Sequence, residues 1–262
     1  MKHLPKLLIL STALSLSACG QIGQQFIDPD VTFAQFGQPD VKGVNDTQED
    51  MAKEAVNNGD FARAAKFYEM LVAAGKATPE QMHRYKLGLA NATRRMGDNE
   101  RALGMFESLM KDNANDLDAA EGRALTLMAT GKTVDASRAF SDIVEKDAKR
   151  WRTLNALGIL FVTKNMVPEA MTYYNEALKY SPDNPAILNN MGLSFAIDKS
   201  YKRAIEVLDQ ANRMSKNAGQ RKQIDLNEAL VYAVSNDLDK AHDIAAKYYD
   251  GAALDNNMGL YA

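Results

Sequence analysis

Residues 151–182 read WRTLNALGILFVTKNMVPEAMTYYNEALKYSP, and the spacing of their apolar residues decides the fold. Leu157, Gly158 and Phe161 mark one segment, and Ala170, Tyr174, Ala177 and Leu178 mark the next. Intervals of three, four and seven residues gather side chains on one face of a 3.6-residue helix, whereas a strand would need alternation, which is absent. Pro168 suits the first turn of the second helix, where its missing N–H leaves no hydrogen bond unmade. Thirty-four residues on, the pattern returns as Met191, Gly192, Phe195, Ala204, Leu208 and Ala211.

The same grid extends in both directions. Ala64, Ala102, Ala136, Ala170, Ala204 and Ala241 recur at intervals of 38, 34, 34, 34 and 37 residues. Five residues before each stands Gly59, Gly97, Gly131, Asn165, Lys199 or Asn236, in the place where a first helix ends. Four residues after each stands Tyr68, Phe106, Phe140, Tyr174, Leu208 or Ala245. This period resembles the tetratricopeptide repeat, and the expectation is an all-α tetratricopeptide-repeat superhelix, an α-α solenoid of about six helix pairs. Each pair hides its apolar stripe only by stacking on its neighbours, and such arrays hold other polypeptides more often than they catalyse. Local punctuation agrees. Thr78 and Pro79 suit the start of a helix, as do Asp183 or Asn184 before Pro185, and residues 112–116 form a polar turn. The first two pairs are degenerate, with Ala55 where an aromatic is usual and an insertion before Ala102.

At the amino terminus Lys2 and Lys6 precede an apolar run from Leu7 to Leu16. Ten or so residues are too few to cross about 30 Å of hydrocarbon as a helix, so residues 1–18 read as a signal peptide. Leu16, Ser17, Ala18 and Cys19 resemble the bacterial lipobox, in which the cysteine is acylated and becomes the first mature residue. Each buried methylene contributes about 0.8 kcal/mol, so two or three acyl chains anchor a protein stably. In lipoproteins of this type an aspartate after the cysteine favours the inner membrane. Gly20 stands there, so the expected location is the periplasmic face of the outer membrane. Residues 19–44 carry that cysteine and read as a flexible tether rich in Gln, Gly, Asp and Pro, reaching about 25–30 Å as a coil. Its Phe26, Phe33 and Phe36 either pack on the first repeat, touch a partner, or are incidental. The repeat domain takes residues 45–262.

Composition narrows the ligand. The chain has 31 Lys and Arg, two of them in the leader, against 34 Asp and Glu, and its pI is near 5.7. A phosphate backbone wants a basic stripe, so nucleic acid is not expected. Cys19 is the sole cysteine, which leaves no intramolecular disulfide. Beyond the leader the histidines are His83 and His242, too far apart in the array for a metal or nucleophile constellation. Gly131, Lys132 and Thr133 imitate the end of a phosphate loop, but the glycine needed five residues upstream is Thr126, so the segment is an inter-helix turn. Glu121, Asp135 and Asp142 stand at helical spacings and read as solvated or ion-paired groups. The expectation is no enzyme, no cofactor, no metal and no small-molecule substrate.

Binding is expected on the inner face, which first helices line. Asn155, Ile159, Val162 and Thr163 align with Asn189, Leu193, Ala196 and Ile197, then with Leu226, Leu230, Ala233 and Val234. The first two pairs offer Glu49, Lys53, Val56 and Asn57, then Leu87, Asn91, Arg94 and Arg95, so the face changes from polar to apolar. Either a partner helix or apolar peptide fills the apolar end, or curvature closes it and its side chains pack on one another or on the chain's own tail. Asn190 and Asn227 are placed to hydrogen-bond an extended peptide. Lys53 and Asn91 stand alone, and no carboxylate clamp is expected.

The end of the chain carries a narrower resemblance. Residues 227–233, then Asn236, Asp237, Lys240, Ala241, Ile244 and Ala245, and finally residues 256–261, are similar to TadD, a family of tetratricopeptide lipoproteins of the Tad machinery that assembles Flp pili. That resemblance implies a pilotin-like scaffold at the outer membrane that supports the secretin or binds another Tad component, with no catalytic residues. The alternatives are a lipoprotein adaptor of another envelope machine, such as polysaccharide export or outer-membrane protein assembly, and a regulator of a cell-wall enzyme.

Overall fold

The computed structural model describes residues 44–250 apart from residue 217, and in them twelve α-helices follow one another. They are α1 (Val44–Asn57), α2 (Phe61–Ala74), α3 (Pro79–Arg95), α4 (Asn99–Asp112), α5 (Leu117–Ala129) and α6 (Thr133–Lys146), then α7 (Trp151–Thr163), α8 (Val167–Tyr180), α9 (Pro185–Ile197), α10 (Tyr201–Met214), α11 (Ala218–Val234) and α12 (Leu238–Ala245). Odd and even helices pair off into six units, as the grid of alanines requires. Each even helix also packs on the odd helix that follows, and odd helices from α3 to α11 touch in succession to make the inner face. The signal segment, Cys19, the three tether phenylalanines and residues 256–261 lie outside the described residues.

The turn inside each pair is built the same way six times. Gly59, Gly97, Gly131, Asn165, Lys199 and Asn236 all have φ between 59° and 85°, the left-handed conformation that ends a helix. The N–H groups of Asn165 and Met166 reach back to the carbonyls of Val162 and Phe161 at 2.8 and 2.9 Å, and the other five turns repeat both bonds. Two carbonyls that the helix end would orphan are thereby satisfied. The starts agree as well. Thr78 and Gln81 form a reciprocal capping box before α3, and Asn184 caps α9 with Pro185 in its first turn.

The long intervals have a structural cause. α3 and α11 each have 17 residues, against 13 in α5, α7 and α9. An added helical turn lengthens those units, and the surrounding connections stay short.

All six alanines of the grid are fully buried, as are Phe106, Phe140, Tyr174, Leu208 and Ala245 four residues later, with Tyr68 half-buried. A ring this close to a neighbouring helix needs a residue without a side chain beneath it. A Cβ on Gly158 would stand 2.5 Å from the Tyr174 ring, and one on Gly122 would stand 2.3 Å from the Phe106 ring. Burial of such a ring contributes on the order of 2–3 kcal/mol. The core is uneven along the array. α7 to α11 share one large cluster that includes Ile159, Tyr174, Ile187, Leu193, Leu208, Ile224 and Val231, whereas the first two pairs meet over Ala55, Ala64, Ala65, Leu89 and Ala92. Ala55, in the place of an aromatic, matches that smaller core.

Candidate functional site

Contacts between polar side chains tie the inner helices together at each of five junctions. Between α1 and α3 the Tyr85 hydroxyl donates to Glu49 Oε2 at 2.9 Å, and Lys53 and Arg84 also approach that carboxylate. Burial works against the Glu49 charge, but these hydrogen bonds and cations hold its carboxyl below the usual range. Lys53 is thus an ion-pair partner of Glu49 at 3.1 Å, and the Asn91 side chain donates to the Leu87 carbonyl. Between α3 and α5, His83 Nε2 lies 3.3 Å from Asp116 Oδ2, while Oδ1 of the same carboxylate caps α5.

Glu121 joins α5 to α7. It is 3% exposed, accepts from Thr153 Oγ1 at 2.6 Å and from Arg150 Nε at 3.2 Å, and Arg150 also bonds Asp118. Burial pushes its carboxyl up, against the opposing pull of Arg150 and Thr153. It is therefore ion-paired, as its sequence context suggested, but inside the protein and not on a solvated surface.

From α7 to α11 the links are neutral amides in a directed chain. Gln223 donates to Asn227 at 3.2 Å, Asn227 to Asn189 at 2.7 Å, Asn189 to Asn190 at 3.4 Å and Asn190 to Asn155 at 3.1 Å. The four asparagines are at most 2% exposed. Hydrogen bonds in such a chain polarise one another, and the low dielectric around them makes a missing member costly. Asn155 Nδ2 ends the chain as a buried donor.

This arrangement narrows the expected binding stripe. Of its eleven residues, Asn155, Ile159, Val162, Asn189, Asn190, Leu193, Asn227 and Leu230 are buried, Ile197 and Leu226 are half-buried, and Val234 is exposed. Asn190 and Asn227 are bonded to their own kind, so the amides that the sequence offered to a peptide are engaged within the array. Solvent reaches mainly the last residue of each row, Thr163, Ile197 and Val234, preceded by Ala129 in α5. What the inner face presents is a narrow rim at the carboxyl ends of the odd helices. The sequence did not reveal the partners of Glu121 across the α5 to α7 junction or the Asp116 link, although a carboxylate at the inner position of α5 was a signal for the first.

Among the described residues no helix is long and apolar enough to cross a membrane.

Residues 95–235, more than half of the chain, match the family described as Psidin, N-terminal TPR repeats region. Among curated proteins nothing matches the chain. Solved structures do. TTC0263, a thermophilic TPR protein in Thermus thermophilus, is 21% identical with a TM-score of 0.60 over 68% of this chain and 96% of that one. The Cut9–Hcn1 assembly of the APC/C is 14% identical with a TM-score of 0.65 over 94% of this chain, which spans 46% of the matched one. At such identities the likeness is one of fold. With its six helix pairs, its repeated turns and the match across its central repeats, the chain belongs to the tetratricopeptide-repeat family of the Psidin N-terminal region.

Proposed function

We propose that this repeat scaffold is a lipid-anchored envelope protein similar to TadD, which supports localisation or assembly of a pilus secretin by holding protein partners. The observation that carries the reading is the order of parts along the chain. A lipobox at Cys19, a polar tether, repeats and the TadD-like ending follow in that sequence. Acyl chains on Cys19 hold the protein at the periplasmic face of the outer membrane, and the tether lets the array stand off the bilayer. The rim residues Thr163, Ile197 and Val234, with half-buried Leu226 earlier on α11, are where this face is open to a partner. An interface hot spot there is a small apolar patch flanked by polar groups.

The test is a crosslinking pull-down from the native envelope, run with the natural chain, with Cys19→Ser and with Val234→Glu. The expected result is capture of a secretin or another Tad component, release of Cys19→Ser from membranes with fewer secretin multimers, and weaker capture by Val234→Glu at unchanged helicity. Unchanged multimers in Cys19→Ser would overturn the pilotin mechanism. Capture of a polysaccharide-export protein, an outer-membrane assembly factor or a cell-wall hydrolase in place of the secretin would assign the scaffold to that machine. Leu193 and Leu230, though on the inner helices, are buried and unsuited to this test, since a glutamate at either site would disrupt packing.

A further inference from the structure

Leu157, Met191 and Glu228 occupy one equivalent place in three successive inner helices, directly before Gly158, Gly192 and Ala229. The first two are buried aliphatic residues, yet Glu228 is equally buried, at 8% exposed. In α5 that place holds Arg123, which meets Glu107 of the preceding α4 at 3.4 Å. Glu107 stands five residues after Ala102, and the residue five after Ala204 is Asp209 on α10. The same two places therefore hold opposite charges at the junction of α4 with α5 and like charges at the junction of α10 with α11.

The surroundings of Glu228 do not relieve this. Asp225, one turn earlier on α11, is buried and adds a second acid; it accepts from Asn212 of α10 and from the Tyr248 hydroxyl. Lys247, after α12, lies 3.9 Å from Asp225, and Lys222 is drawn to the rings of Tyr248 and Tyr249. Tyr232, a turn further along α11, lies under Lys240 of α12, which is itself paired with Asp237. Of the charges acting on Glu228, Lys247 alone opposes Asp209 and Asp225, and its ammonium is set against Asp225. Burial first, then Asp209 and Asp225, push the Glu228 carboxyl up to about 7, against Lys247.

We propose that the sixth helix pair is seated on the fifth by a proton on Glu228, and that ionisation of this group loosens α11 and α12 from α10. The direction follows from linkage. A carboxyl that holds its proton more tightly in the folded state stabilises fully below its ordinary range, near 4.5, and that contribution is lost as pH rises through about 7. Loosening would uncover Ile224 and Val231, the part of the large core cluster that α11 supplies. The last pair is thereby tight in mild acid and more open above neutrality.

Hydrogen exchange on the full chain, corrected for intrinsic rates, tests this at pH 5.5 and pH 8. The opening equilibrium of residues 218–245 is expected to rise about ten-fold or more across that range, with residues 79–180 unchanged. Glu228→Gln and Glu228→Leu should remove the rise, and Asp209→Asn should move its midpoint to lower pH. Equal protection at both pH values in the natural chain would overturn the proposal. So would a rise that survives in Glu228→Gln, or one abolished only by Asp225→Asn.

Discussion

From α1 to α7 the inner helices are joined through carboxylates, Glu49 with Tyr85 and Arg84, Asp116 with His83, and Glu121 with Arg150 and Thr153. From α7 to α11 they are joined by five amides that carry no charge. The rest of the packing divides in parallel. The helices α2 to α5 all have side-chain caps, from Asp60, Thr78, Asp98 and Asp116, and the first two pairs meet over small residues. The helices α6, α7, α8 and α10 have no side-chain cap, α9 keeps one from Asn184, and the large apolar cluster spans α7 to α11. Where burial is generous, helix ends need less help from caps. Where it is meagre, caps and ion pairs contribute a larger share.

Breaking the charged half should show the largest effect. Arg150→Met removes the ion-pair partner of the buried Glu121 carboxyl, leaving Thr153 bonded to it and the Arg152 charge acting on it, and is expected to cost about 3 kcal/mol in urea unfolding. A loss below about 1 kcal/mol would mean that the α5 to α7 junction stands without its ion pair. Next comes the amide half. Asn190→Ala removes both an acceptor and the donor to Asn155 and should cost about 2 kcal/mol, whereas the double change Asn155→Leu with Asn190→Leu should recover much of that loss. If the double variant is as unstable as the single one, shape and not hydrogen bonding governs the junction. A smaller effect is expected at the caps. Thr78→Ala dismantles the box before α3 and should cost about 1 kcal/mol, read as a fall in melting temperature. Smallest is Lys199→Gly, which relieves a left-handed non-glycine residue at φ 59° and should raise stability by about 0.5 kcal/mol, the unfolded chain taking back part of the gain. A loss there would show that the Lys199 side chain contributes something that its backbone does not reveal.

The grid of alanines and the turn residues were legible because they answer to local sterics. A helix pair this close admits nothing larger than alanine at its crossing, and a left-handed turn selects glycine or asparagine, so both leave marks at fixed intervals. The added turn in α3 was visible as an insertion before Ala102 that looked like degeneracy, and that in α11 only as a long last interval, since spacing alone does not separate a longer helix from a longer loop. The inner face was legible as a set of positions and not as a surface. Whether Asn190 meets solvent or Asn155 depends on how far each pair rotates on the last, which no single helix encodes. Leu193 looked available for the same reason, and Glu121 looked like a solvated or ion-paired group because helical spacing does not say what the next pair lays over it.

The hydrogen-bonded links between odd helices also bear on how such a chain can be recombined. Its pairs share one turn, one alanine and nearly one length, which invites treating them as interchangeable bricks to be duplicated or shuffled. They are keyed, though, because the groove of α5 offers a carboxylate and that of α7 an amide oxygen. A copy of the pair α9 and α10 spliced after α6 would bring Asn190 toward Glu121, with neither Arg150 nor Thr153 to complete the match. Order along the array is written into its joints.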